Sequence, residues 1–112
     1  MSVSLLVFKG EHFNSSTSKV INEIPVSFQS VWNNIWEKAI SECSVKKFVT
    51  CGMFTVDDIP TVITELDTIY NWVHHNGGKE TKYIQDRILK LKIFLNDFYL
   101  DSNNSDYWFD LG

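Results

Sequence analysis

Val3, Leu5 and Val7 alternate with Leu6 and Phe8 at the start of the chain. That period of two predicts a β-strand over Val3–Phe8, apolar on both faces. The polar run Gly10–Ser18 then reads as a loop around Asn-Ser-Ser-Thr-Ser, and Lys19–Ile24 as a second strand hairpinned to the first. Pro25 is expected to stop that strand, since its nitrogen has no hydrogen to give a ladder. Ser27 is in place as an N-cap, and Phe28, Val31, Trp32, Ile35, Trp36, Ala39 and Ile40 then recur at helical spacing. This predicts an amphipathic helix ending near Cys43.

Lys46–Phe54 returns to strand character through Phe48, Val49, Cys51, Met53 and Phe54. Thr55-Val56-Asp57-Asp58 has the form of a capping box, with Pro60 in the first turn, where a missing N–H costs nothing. The helix it opens should bury Ile59, Val62, Ile63, Leu66, Ile69, Tyr70 and Val73, and stop at His74–Gly78, where glycine offers a left-handed cap. A third helix runs from about Thr81 to Tyr99 on the face Ile84, Ile88, Leu91, Leu95 and Phe98. Asp101–Ser105 reads as a polar turn and Tyr107–Leu111 as a last strand. The order β-β-α-β-α-α-β predicts one α+β domain over residues 1–112. Three helices should cover one face of a small, mostly antiparallel sheet of three to four strands. Trp32, Trp36, Leu66, Ile69, Ile88 and Leu95 are the expected core.

Composition supports a single packed domain. At 112 residues there is room for one core, and four Trp, four Tyr and eight Phe supply large rings to fill it. The net charge of −4 argues against direct nucleic-acid binding, which needs a basic face for the phosphates, and suits a basic protein partner. Cys43 and Cys51 are too few for a disulfide framework or a zinc site, so reduced thiols are expected. The apolar run Leu5–Phe8 is too short for a signal peptide, and no stretch is long enough to span a bilayer. The expected address is the cytoplasm, with no membrane partner.

Candidate chemistry is sparse. His74 and His75 are adjacent on a helix, about 100° apart, so they cannot chelate one metal as an i, i+4 pair would. Glu11-His12 sits in a polar loop with no nucleophile beside it. Asp57 and Asp58 are explained by capping, and Gly77-Gly78-Lys79 lacks the upstream glycine and following hydroxyl of a phosphate loop. No metal, cofactor or catalytic residue is expected.

Two features remain. Lys79, Lys82, Arg87, Lys90 and Lys92 crowd one stretch, and Asp97, Asp101, Asp106 and Asp110 follow with no cation between them. Together with Tyr107, Trp108 and the helix-opening Asp57 and Asp58, these aspartates form a candidate acidic–aromatic binding surface. The competing reading tucks the rings of a final strand into the core, and alternate faces allow both. The second feature is Leu89, Ile93 and Leu100, which fall opposite the main apolar face of the third helix. A helix apolar on two sides is sandwiched, the more usual case, or sticky.

The strand Ser4-Leu5-Leu6-Val7-Phe8 and the segment Ile24-Pro25-Val26-Ser27-Phe28 resemble bacterial polymorphic-toxin immunity proteins, nearest the immunity protein 70 type. So does Phe48-Val49 through Gly52-Met53-Phe54-Thr55-Val56-Asp57-Asp58 to Glu65-Leu66-Asp67-Thr68-Ile69. The likeness covers most of the chain and leaves out the Asp-rich C-terminal stretch. It implies a non-enzymatic inhibitor that binds the toxic C-terminal domain delivered by a neighbouring cell, as in contact-dependent growth inhibition. Many such toxins are nucleases, tRNases among them, with basic surfaces that an acidic partner would block. The alternative is a small adaptor or assembly module with a housekeeping protein partner. An enzyme ranks third, for want of a nucleophile–base pair.

Overall fold

A computed structural model describes residues 2–101 and 106–112. Strand β1 (Ser2–Lys9) lies inside a four-stranded sheet of order β2-β1-β4-β3, antiparallel throughout, with β2 at Lys19–Phe28, β3 at Met53–Thr55 and β4 at Tyr107–Leu111. The last strand is thus slotted between the first and the third. Leu5 faces Leu111 and Val7 faces Phe109, which faces Phe54, so one row of alternate residues from three strands points the same way. That row is fully buried against the helices.

Helix α1 is a continuous helical run made of Gln29–Val31, a π-helical turn Trp32–Trp36 and Glu37–Glu42. Helix α2 (Ile59–Asn76) follows a 3-10 turn at Val56–Asp58, and α3 (Thr81–Asp101) follows another at Gly78–Glu80. Trp32, Trp36, Leu66, Ile69, Ile88 and Leu95 are all buried in the core, as helical spacing predicts. The Trp32 and Trp36 rings stack at 5.3 Å, and neither buried indole N–H has a partner among the described residues. Burying a ring of about 150–250 Å² gains roughly 4–6 kcal/mol, against about 1–3 kcal/mol for an unmet donor. Burial wins at both positions.

The capping box forms: the Asp58 carboxylate accepts from the Thr55 backbone N–H at 3.1 Å, and the Thr55 side chain reciprocates. At the other end of α2 it is Gly78 (φ 58) that takes the left-handed turn. Asp101 still belongs to α3, and the rest of the polar turn expected up to Ser105 lies outside the described residues.

Three local expectations are corrected. Strand β2 runs through Pro25 to Phe28, because it is an edge strand and the register slips there: Ser4 pairs with Pro25 but Val3 with Ser27. An edge or a bulge tolerates proline's missing donor. Ser27 therefore lies in the strand, its hydroxyl donating to the Phe28 carbonyl, and Phe28 is the N-cap of α1 without a side-chain cap bond. Finally, the strand expected over Lys46–Phe54 shrinks to Met53–Thr55, after a loop in which Cys51 takes a left-handed φ of 60°. The backbone N–H groups of Lys46, Lys47 and Phe48 all donate to the Glu65 carboxylate instead of a ladder.

Candidate interaction surface

Sheet register brings distant carboxylates to one end of the molecule. Lys9 pairs with both Lys19 and Tyr107, and Thr55 pairs with Trp108. The end of β1, the start of β2, the start of β4 and the turn leading into α2 are therefore neighbours. The Gly10 N–H donates to the Asp106 carbonyl at 2.9 Å and ties the loop after β1 to the same place. Helix α3 arrives there too, with Phe98 edge-on to Tyr107 at 4.9 Å and to Phe109 at 5.4 Å. Glu11, Asp57, Asp58, Asp101 and Asp106 thus share one end of the sheet, with Asp97 one turn earlier on α3. Of these only Asp58 is partly buried; it carries the capping box and an ion pair to Lys47 at 3.5 Å.

Asp110 lies apart from that group. It pairs with Leu6 and Met53 on the sheet face turned from the helices, about 13 Å along the strand from Asp106. The acidic run also has a cation nearby after all. Lys9 crosses from β1 to hold its ammonium 5.7 Å from the centre of the Tyr107 ring, a pairing set by register and invisible in the local sequence.

The aromatic members divide by face. Tyr107 is half-buried against Phe98. Trp108 is 1% exposed, stacked on Phe8 at 4.1 Å and nearly parallel to it, with Phe13 edge-on at 5.8 Å. Its indole N–H donates to the Ser18 hydroxyl at 3.0 Å, which in turn donates to the Glu11 carbonyl. Trp108 pins the Gly10–Ser18 loop across the open face of the sheet and presents no ring to solvent. An exposed ring at this end is Phe13, 47% accessible and held at φ 62°, a backbone region that bulky residues rarely enter. Phe13 is not among the residues that periodicity or charge singles out; its signal in the sequence is a single aromatic inside a polar loop.

The second apolar stripe of α3 is not sandwiched. Leu89, Ile93 and Leu100 are 45%, 64% and 72% exposed, because α2 and the sheet pack on other sides of the helix. With Ile63, Lys92 and Asn96, Leu89 and Ile93 line a shallow hollow between α2 and α3. Beside it Lys92 pairs with Asp67.

His74 and His75 are exposed at the end of α2, their rings edge-on at 5.0 Å. Among the described residues no group of three or more His, Cys, Asp or Glu is placed to hold a metal ion, and no helix is long and apolar enough to cross a membrane. Cys51 is exposed and Cys43 half-buried. Burial first, and the Glu42 carboxylate second, push the Cys43 thiol above its ordinary pKa. A thiol-alkylating reagent near neutral pH should therefore modify Cys51 before Cys43, as read by peptide mass spectrometry. Equal rates would show that Cys43 is neither shielded nor disfavoured as the thiolate.

The chain matches no protein-family model, no curated protein and no solved structure.

Proposed function

We propose that this protein is an inhibitor of the immunity-protein kind, binding a basic toxin domain, most simply a nuclease, in the cell that produces both. The observation that carries the reading is the gathering of Glu11, Asp57, Asp101 and Asp106 at one end of the sheet beside exposed Phe13. Carboxylates around an apolar centre steer a basic partner into contact and then hold it. Seated on a nuclease, such a surface occupies the place of the phosphates.

The charge pattern of α3 supports a functional origin. The last turn of α3 carries Asp101 and no basic residue, and its first turn carries Lys82 and no acidic one. The sign at the C-terminal end opposes the helix dipole, which favours cations there, whereas at the N-terminal end Glu80 directly precedes Thr81 and offsets Lys82. An arrangement that works against the helix is easier to explain by binding than by stability.

The test uses the protein encoded by the gene immediately upstream, which the reading expects to carry the toxin domain. Wild-type protein should capture that domain and rescue growth when the two are co-expressed. The triple variant Asp57→Lys, Asp101→Lys, Asp106→Lys should associate about tenfold or more slowly at low salt, with a flatter salt dependence. Asp101→Lys alone should leave the melting temperature unchanged or slightly raised, separating lost binding from lost folding. No capture and no rescue by the wild type would end the inhibitor reading. Normal association by the triple variant would move the interface off this end.

A further inference from the structure

The exposed stripe of α3 is self-complementary, and we infer that it joins two copies of this chain through an antiparallel α3–α3 contact. This does not depend on the inhibitor reading. At 100° per residue, Leu89, Ile93, Asn96 and Leu100 fall on one face at spacings of four, three and four. Lys90 and Asp97 flank that face on one side, and neither makes an ion pair among the described residues. The other flank is the hollow lined by Ile63, Lys92 and Asn96.

A two-fold axis across the helix near residues 94 and 95 sets Leu89 opposite Leu100 of the second copy, and Ile93 opposite its Asn96. In an antiparallel pair like flanks meet, so Lys90 of each copy lies against Asp97 of the other and the symmetry makes the contact twice. A parallel pair would instead turn Lys90 and Asp97 alike toward the flank of Lys92, which Asp67 already pairs, and would leave them without that reciprocal match. Leu100, the most exposed large apolar residue of the stripe, then has a receptor in the hollow beside Ile63 and Leu89 of the second copy. Asn96 near the middle fixes the register, as a polar residue in a helical seam does. One helix pair makes a small interface, below about 1,200 Å², in the range of weak association.

Sedimentation equilibrium of the intact protein from about 10 µM to about 1 mM tests this. The expected result is a concentration-dependent mass rising toward that of two chains. Ile93→Asp should hold the protein monomeric with an unchanged melting temperature, since the residue is a surface one. Lys90→Asp and Asp97→Lys should each weaken the dimer about tenfold, and the double variant, with both charges exchanged, should recover most of the loss. A wild type monomeric throughout, a dimer indifferent to Ile93→Asp, or a double variant no better than the singles would overturn the proposal. So would a monomer in which Ile93→Asp abolishes capture of the toxin domain, because the stripe would then belong to that partner.

Discussion

Trp108→Ala is expected to destabilise the free protein by about 3–5 kcal/mol, the range for truncating a fully buried large aromatic. The ring is closed off on every side: Phe8 stacks on it, Phe13 stands edge-on to it, and the Ser18 hydroxyl takes its indole N–H. Alanine leaves a cavity between the sheet and the Gly10–Ser18 loop and strips the loop of its main attachment. Total stabilities of small domains run about 5–15 kcal/mol, so this is a large share of the whole. Urea denaturation should show the loss, and hydrogen exchange should show the Asn14–Ser18 turn opening first. Trp108→Phe, which keeps the stack on Phe8 and drops only the hydrogen bond, should cost far less. A Trp108→Ala protein with near-normal stability but poor capture of the toxin domain would return this ring to the interface and contradict the packing described.

How much of this was legible in the sequence follows from the range of the interactions. The capping box at Thr55 and Asp58, the apolar face of α2 and the alternation in β1 are written in neighbouring residues, and each forms as its spacing predicts. Pro25 does not end β2, because its tolerance depends on β2 being an edge strand, which is settled by β4 pairing with the other side of β1. The acidic residues were visible one by one. What collects Asp57 with Asp106, and leaves Asp110 out, is the pairing of Thr55 with Trp108. Lys9 reaches Tyr107 by the same kind of non-local register. The two faces of β4 could be told apart in sequence as Tyr107, Phe109 and Leu111 against Trp108 and Asp110. That the second face also has an aromatic layer of its own, roofed by Phe13, depends on a loop conformation that composition does not specify.

Glu65→Ala is the other substitution expected to cost much, about 2–4 kcal/mol, although the residue is only half-buried. Its carboxylate accepts the Lys46 N–H at 2.8 Å, the Lys47 N–H at 3.1 Å and the Phe48 N–H at 2.9 Å. Bonds to a charged acceptor contribute about 1.5–3 kcal/mol each when shielded, and those at Lys46 and Lys47 contribute less because they lie near solvent. The Phe48 bond is the better protected, and it places the Phe48 ring 6.2 Å from Trp32 and 6.0 Å from Trp36. Helix α2 therefore holds, through one side chain, the loop that closes the core over α1 and delivers the chain to β3. Without the carboxylate the three donors turn to water, and the Phe48 ring loses its fixed approach to the two indoles. Glu65→Gln should fall between, since an amide keeps one acceptor oxygen but turns N–H groups of its own toward the donors. Denaturant unfolding combined with amide exchange at Lys46, Lys47 and Phe48 provides the check. Stability within about 0.5 kcal/mol of wild type, with those three amides as protected as before, would mean that the loop is held by Phe48 packing and the Cys51–Leu111 backbone bond instead.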